Sequence, residues 1–272
     1  MPAFHFIAGM NRSGSTMLAA ILRQNPMFHA AITTPVHNLF RTLHRHMGKE
    51  SPFHIAISEQ KRAQMLRGLF FNWYADVDKP VIFDLHKWWS QRIDAIHLLF
   101  PTAKILCPMR DPAWVIDSYE RIFRQYPLHA SALYGYDTTW NVYTRVETLS
   151  GPTGGLGLQY NSMREAYFGP YRNKLIIIDY DDICATPNDV MASVYEQLGL
   201  PFFQHDFDHL EIPEEQRLAF DLDFGLPMHK IRAKVESVPR QTVLPPDIFA
   251  AYHGRCFWKE AENVLPLRHT GG

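Results

Sequence analysis

A short apolar run, a loop rich in glycine and serine, and a helical pattern follow one another in residues 4–25, and they constrain the fold of this chain most. The run 4–8 has the length and composition of a buried β-strand. In residues 16–24 apolar side chains recur at helical spacing, and Pro26 ends this helix because the residue before a proline avoids helical angles. Since the free N–H groups and the positive end of the helix dipole face the loop, the stretch predicts an anion site, usually one for phosphate.

The glycine spacing in this loop is close to that of a nucleotide phosphate loop, but one residue differs. Gly9 and Gly14 lie five positions apart and are followed by Ser15 and Thr16, which gives the frame of G-x-x-x-x-G-K-S/T. Ser15 occupies the position of the lysine that nucleotide kinases use to reach the β- and γ-phosphates. The loop therefore argues against transfer of a γ-phosphoryl group, while its hydroxyl and N–H donors and the charge of Arg12 can still hold one terminal phosphate-like group.

Residues 6–18, with the sequence FIAGMNRSGSTML, resemble the 5′-phosphosulfate loop of the sulfotransferase family. The donor substrate of that family is 3′-phosphoadenosine 5′-phosphosulfate (PAPS), and its product is adenosine 3′,5′-bisphosphate (PAP). For this loop, the resemblance implies donor contacts from Asn11, Arg12, Ser13, Gly14, Ser15 and Thr16.

A second motif of the family is an arginine after a strand, followed by a serine about two helical turns later. Arg110 and Ser118 match it. The resemblance implies that these two residues bind the 3′-phosphate, which ATP lacks. Taken singly, the first motif is compatible with an ordinary turn and the second with an Asp-Pro helix cap, but their order in one chain favours the family.

Strand and helix patterns alternate along the rest of the chain. The candidates are strands at 80–84, 103–109 and 174–180, and helices at 91–100, from Pro112 onward, and at 187–198. Such alternation predicts an α/β fold with a central parallel sheet flanked by helices, and the resemblance implies the P-loop kinase-like sulfotransferase fold. We expect one domain over residues 1–272, with helical segments at 38–75 and 126–170 on the acceptor side. Residues 151–157 are rich in glycine and predict a turn-rich connector.

Two basic residues follow the strand candidate 80–84. His86 and Lys87 lie where the carboxyl end of a parallel strand presents side chains to a ligand. His86 has the pKa range of a general base that takes the proton of the acceptor, and Lys87 can neutralise the charge that develops on the leaving phosphate. The resemblance also implies basic residues here and, in some members, a catalytic histidine. The alternative is a solvated loop between packing tryptophans.

The catalytic base has a second candidate in His37. Some members of the family, among them the protein-tyrosine sulfotransferases, use an acidic residue in this part of the chain, but no acidic residue occurs between Pro26 and Met47. His37 is one of four histidines in that stretch, and a lone histidine is more often a packing or surface residue. Asp181 and Asp182 are interpreted as the turn and cap before the next helix, not as paired catalytic carboxylates.

A basic segment near the C-terminal end contains Lys230, Arg232 and Lys234. It is similar to the segment that folds back over the donor in related enzymes, and this similarity implies that one or more of the three, with Lys230 and Arg232 foremost, contact the 3′-phosphate. The alternative is a basic strand whose charged side chains are solvated.

Composition and cysteine spacing limit the cofactors, partners and compartment that we expect. The formal net charge is −1 and the isoelectric point is about 6.9, which argues against nucleic acid or a membrane surface as a partner. The three cysteines are isolated and have no metal-ligand spacing, so we expect neither a metal site nor a disulfide framework. The first residues enter a strand without a signal-peptide pattern, and no run of about 20 apolar residues occurs. The expected location is the cytoplasm.

These patterns predict a sulfotransferase that moves a sulfonate group from PAPS to a hydroxyl or amine of a small-molecule or peptide acceptor and releases PAP. Sulfonate transfer is similar to phosphoryl transfer, in which the protein supplies position and positive charge. The aromatic content of 13% favours an aromatic or apolar acceptor. One alternative is a phosphotransferase that acts on a small molecule, for which Asp84 is the nearest candidate magnesium ligand. The other is a regulator that binds a nucleotide without catalysis.

Overall fold

The structure, a computed structural model, describes residues 1–48, 52–127, 141–213, 231–239 and 241–260. Its centre is a sheet of five parallel strands in the order β2-β3-β1-β4-β5. The strands are β1 (Ala3–Ile7), β2 (Phe28–Ala30), β3 (Val81–Leu85), β4 (Ile105–Met109) and β5 (Leu175–Asp179). Nearly every residue of these strands is buried, because helices cover both faces of the sheet.

In the parts of the chain that the structure describes, ten α-helices surround the sheet. They are α1 (Ser15–Arg23), α2 (Val36–His46), α3 (Glu59–Trp73), α4 (Ile93–Leu99), α5 (Pro112–Gln125), α6 (Val142–Ser150), α7 (Gly155–Phe168), α8 (Tyr180–Ala185), α9 (Pro187–Leu198) and α10 (Pro246–Tyr252). Short 3₁₀ helices lie at Pro52–Ala56, Lys87–Arg92 and Arg172–Lys174. Helices α1, α8 and α9 pack on one face of the sheet and the other seven on the opposite face. None of the described helices combines the length and the apolar character needed to cross a membrane.

The strand order creates a crevice beside β1. Strand β3 pairs with one edge of β1 and β4 pairs with the other, and all three strands run in the same direction. Their carboxyl ends therefore meet at one edge of the sheet, which is where open parallel sheets bind ligands. This crevice receives the loop after β1, Lys87 after β3 and Arg110 after β4.

The predicted α/β fold, with a central parallel sheet flanked by helices, is confirmed. Helix α9 has the predicted bounds, and Gly199 ends it with a left-handed φ of 67°. The segment 38–75 contains most of α2 and all of α3. The segment 126–170 contains α6 and α7, although its residues 128–140 lie outside the described part.

Two local predictions differ from the structure, and one strand, β2 (Phe28–Ala30), was not among the predicted strands. Helix α7 begins at Gly155, inside the predicted connector, which is correspondingly shorter. Asp181 and Asp182 lie in the first turn of α8, a helix that the sequence does not predict. Asp179 caps this helix by accepting a hydrogen bond from the Asp181 N–H at 2.9 Å, and acidic residues stabilise a helix N-terminus.

Candidate functional site

The loop after β1 is compact because three of its residues adopt positive φ angles. Gly9 has φ +144°, and a Cβ there would lie 2.6 Å from the carbonyl oxygen of Pro108. Gly14, with φ +96°, directly precedes α1. Arg12 has φ 61°, which is uncommon for a residue with a side chain and needs support from its surroundings. This bend turns the N-terminus of α1 toward the crevice.

Two of the loop residues predicted to contact the donor form hydrogen bonds within the protein. The N–H of Asn11 donates to Gln159 Oε1 of α7 at 2.7 Å. The hydroxyl of Ser13 is buried and lies 2.5 Å from the carbonyl oxygen of Met10 and 2.6 Å from that of Pro108. The Ser13 hydroxyl therefore fastens the loop to the end of β4, and the predicted contact of Ser13 with the donor stays a prediction.

Lys87 adds a second basic side chain to the loop, which already contains Arg12. Its Nζ donates a hydrogen bond to Ser15 Oγ. Ser15 is the residue that occupies the position of the lysine in a nucleotide phosphate loop. Burial and the neighbouring charge of Arg12 lower the pKa of Lys87 to about 7. The sequence places Lys87 at the end of a strand, but only the sheet order brings it to the first turn of α1.

The second motif lies at the end of β4 and in α5. Asp111 caps α5 by accepting a hydrogen bond from the Ala113 N–H at 2.9 Å, which fixes the direction in which the preceding Arg110 leaves the strand. Arg110 Nη1 donates to the carbonyl oxygen of Arg12 at 3.4 Å, and Arg12 Nε donates to Ser118 Oγ at 3.0 Å. The residues assigned to the two ends of the donor are thus in direct contact with one another.

A cavity of about 490 Å³ occupies the crevice. Of the predicted site residues, its lining includes Asn11, Arg12, Gly14, Ser15, Thr16, Lys87, Arg110, Ser118 and Arg232. Among the residues that the structure describes, five cationic side chains line it, those of Arg12, Lys87, Arg110, Arg232 and Lys234, against two acidic ones, those of Asp181 and Glu236. The cavity is therefore positive in a chain whose net charge is −1, which suits a polyanionic ligand. Lys230 lies outside the described residues.

Two aromatic residues of the described part of the chain also line the cavity, and neither was among the predicted site residues. They are Trp114 on α5 and Tyr180 at the start of α8. The guanidinium of Arg110 lies 4.1 Å from the centre of the Tyr180 ring, a cation–π contact that holds it over the cavity. The positions of these two residues, each shortly after a strand end, are the sequence signal that could have identified them.

The two candidate bases, His37 and His86, are brought together beside the cavity but do not line it. Their rings stack with centroids 4.2 Å apart and an interplanar angle of 11°. Burial, followed by the charges of His37, Lys87 and Arg41, lowers the pKa of His86 to about 3. Burial, with Arg92 as the next cause, lowers the pKa of His37 to about 4. Both imidazoles are therefore neutral at neutral pH.

Asp84 is a structural hydrogen-bond acceptor. Its carboxylate is fully buried and accepts hydrogen bonds from Thr34 Oγ1 at 2.7 Å, the Tyr74 hydroxyl at 2.5 Å and Trp89 Nε1 at 2.7 Å. Burial raises the pKa of Asp84, and the three donors oppose that effect. Because its oxygens are occupied and it does not line the cavity, Asp84 is a poor magnesium ligand, which weakens the phosphotransferase alternative.

Asp84→Ala is expected to lower the free energy of unfolding by about 3 kcal/mol or more, because it leaves three buried donors without an acceptor. Denaturant unfolding followed by circular dichroism measures the change. As a control, Asp94→Ala removes an exposed carboxylate from the first turn of α4 and should cost less than about 1 kcal/mol. Equal losses for the two variants would contradict the assigned role of Asp84.

Ser13→Ala is expected to lower mainly the stability of the protein, and Thr16→Ala mainly its affinity for PAP. Ser13→Ala breaks buried hydrogen bonds and should lower the free energy of unfolding by about 1–2 kcal/mol. Thr16 lines the cavity, so Thr16→Ala should leave stability nearly unchanged and weaken PAP binding more than Ser13→Ala does. Thermal unfolding and PAP calorimetry on both variants measure the two effects, and the reverse order would contradict the assignment.

This geometry defines the class: an α/β protein that places a strand–loop–helix motif and cations from strand ends around one cavity at the carboxyl edge of a parallel sheet. A family model described as "Sulfotransferase family" matches residues 5–204. The chain belongs to the sulfotransferase family, so it is a transferase, and the resemblance seen in its two motifs is confirmed.

The chain is similar to solved structures of sulfotransferases. The sulfotransferase domain from the curacin biosynthetic pathway is 15% identical, with a TM-score of 0.53 over 75% of this chain and 76% of that chain. A sulfotransferase from Alicyclobacillus acidocaldarius is 17% identical, with a TM-score of 0.48 over 83% and 92%. Mouse sulfotransferase SULT7A1, solved with PAP, is 12% identical, with a TM-score of 0.47 over 75% and 60%. No curated protein matches the chain.

Proposed function

We propose that this protein transfers a sulfonate group from PAPS to a hydroxyl or amine and releases PAP. The observation that carries the proposal is the convergence of Arg12, Lys87 and Arg110 on one cavity, each from the end of a different parallel strand. PAPS carries negative charge on both its 5′ and 3′ groups, so it requires cations at more than one point of the site. The family of the chain supports this choice of donor.

In the proposed reaction the acceptor oxygen attacks the sulfur atom, and the bond between sulfur and the bridging oxygen of the 5′-phosphate breaks. The electron pair of that bond stays on the leaving PAP, and the acceptor loses its proton. Charge accumulates on the bridging oxygen, where Lys87 and the N-terminus of α1 stabilise it. Position and charge supply most of the catalysis, by analogy with phosphoryl transfer.

The selection of PAPS over ATP is assigned to the 3′-phosphate. Arg110 and Ser118 bind that group in the proposal, with help from Arg232, which also lines the cavity. The Nε of Arg110 is buried and has no hydrogen-bond partner among the described residues, so it is available to a ligand. Because Arg12 contacts Ser118, we propose that Arg12 contributes to both ends of the donor site.

His86 is the proposed base, with His37 stacked behind it. His86 directly precedes Lys87, and its neutral ring can accept the proton that the acceptor loses. The negative charge of the bound donor favours the protonated imidazole and offsets part of the effect of burial. The cytoplasmic location expected from the sequence belongs to the same proposal.

Two measurements test the function. Calorimetric titration with PAP and with ATP should show a strong preference for PAP, since ATP lacks the 3′-phosphate. Turnover of radiolabelled PAPS on a mixed panel of phenols, alcohols and amines should then yield a sulfonated product. Equal affinity for PAP and ATP would favour a phosphotransferase, and tight PAP binding without turnover on any acceptor would favour a regulator.

A further inference from the structure

Helix α2 presents a basic face to the 3₁₀ helix Lys87–Arg92. His37, Arg41 and His44 recur at spacings of four and three residues, which places them on one side of α2. The ring of His37 stacks on that of His86 with centroids 4.2 Å apart. The basic face therefore lies beside the residues that lead from β3 into the donor cavity.

Two arginines of this region have no acidic partner among the described residues. Arg41 is exposed on α2. Arg92 is half-buried at the end of the 3₁₀ helix, and its Nε is buried without a hydrogen-bond partner in the described part of the chain. By contrast, Arg124 on α5 donates to Glu120 at 2.8 Å. Since buried charged donors normally have a partner, the Arg92 Nε is suited to an anion that the described residues do not supply.

The positive charge of these arginines contributes to lowering the pKa of the neighbouring histidines. After burial, Arg92 is the next cause that lowers the pKa of His37 and that of His44. Arg41 contributes to lowering the pKa of His86, after burial, His37 and Lys87. The histidines are neutral at neutral pH, so the charge available to a ligand of this face is that of the two arginines.

We propose that Arg41 and Arg92 bind an anionic group of the acceptor, a carboxylate or a phosphate or sulfate ester, while its hydroxyl or amine approaches Lys87. The inference rests on the proposed function, because it concerns the second substrate of the same site. Guanidinium groups suit such anions through paired N–H···O bonds. Lys87 contacts Ser15 of the donor loop, and His86, which directly precedes Lys87, stacks on His37 of the basic face.

The test uses matched probes on protein saturated with PAP, which occupies the anion positions of the donor site. The probes are 4-hydroxyphenylacetate, 3-hydroxybutyrate and the methyl ester of each. Calorimetry should show that the carboxylates bind at least about tenfold more tightly than their esters. The double variant Arg41→Gln/Arg92→Gln should remove that preference. Arg67→Gln, on α3, removes an arginine that lies over the ring of Phe71 and should keep it.

Three results would overturn the inference: equal affinity for acids and esters, no binding of either carboxylate, or a carboxylate preference that survives the double variant. A failure of the proposed function is distinguishable, because it would be seen without any probe, as weak PAP binding, as equal affinity for PAP and ATP, or as PAP binding without turnover of PAPS. If the panel provides a turned-over acceptor, the double variant should raise KM for its anionic members about tenfold and leave kcat nearly unchanged.

Discussion

Lys87→Gln is expected to lower kcat about 10²- to 10³-fold, because it removes the positive charge beside the leaving oxygen. PAP affinity should fall much less, since Arg12, Arg110 and the N-terminus of α1 remain. Turnover of radiolabelled PAPS on the best acceptor of the panel, together with PAP calorimetry, separates the two effects. A kcat within about threefold of the native value would remove Lys87 from the mechanism.

The lowered pKa of Lys87 predicts that PAP binding depends on pH. The pKa of Lys87 is about 7 in the free protein, and the negative charge of PAP must raise it in the complex. Below about pH 7 the lysine is protonated in both states, so its contribution to affinity is constant. Above that pH the free protein loses the proton while the complex retains it, so affinity falls by up to about tenfold per pH unit until the pKa of the complex is passed.

Calorimetry in two buffers with different ionisation enthalpies measures this proton uptake. Because PAP can take up protons itself, the informative quantity is the difference between the native protein and Lys87→Gln at about pH 8. Lys87→Arg is the matched variant: it keeps a positive charge that does not titrate in this range, so it should lack the uptake and retain PAP binding. Identical uptake in all three proteins would show that another group titrates.

Arg110→Ala is expected to reduce the preference for PAP over adenosine 5′-monophosphate by about 10- to 100-fold, because a charge-assisted hydrogen bond to the 3′-phosphate is lost. The affinity for the monophosphate should change little. Dissociation constants of both nucleotides, measured by calorimetry, give the ratio. Arg124→Ala removes an arginine of α5 that pairs with Glu120 and should keep the native ratio. If Arg110→Ala also keeps it, the 3′-phosphate is bound elsewhere.

Local patterns were enough to predict the donor loop and the second motif. The strand, the loop at residues 9–14 and the start of α1 depend on neighbours in the chain, because glycine spacing and helical periodicity are local properties. The cap at Asp111 and the distance from Arg110 to Ser118 are set within one strand end and the first turns of one helix. For the same reason, the bounds of α9 could be read from its proline and its glycine.

Local patterns were not enough for groups whose role depends on a partner far away in the chain. The Ser13 hydroxyl looked available to a donor until Pro108, at the end of β4, was seen to accept from it. Asp84 looked like a strand-end carboxylate until Tyr74 and Trp89 were placed against it. The hydrogen bonds of Ser13 and of Asp84 have one cause, because packing between elements decides which polar groups are buried.

The sequence by itself determined the family, through the resemblance of its two motifs to those of sulfotransferases. It also determined the fold class and the location of the anion-binding loop, because these follow from the alternation of strand and helix and from local spacing. The tertiary structure alone decided that Lys87 reaches Ser15, that Arg12 contacts Ser118 and that His37 stacks on His86. Each of these contacts joins the end of one strand to another element. They exist because β1 lies between β3 and β4 in the sheet, an order that no local pattern encodes.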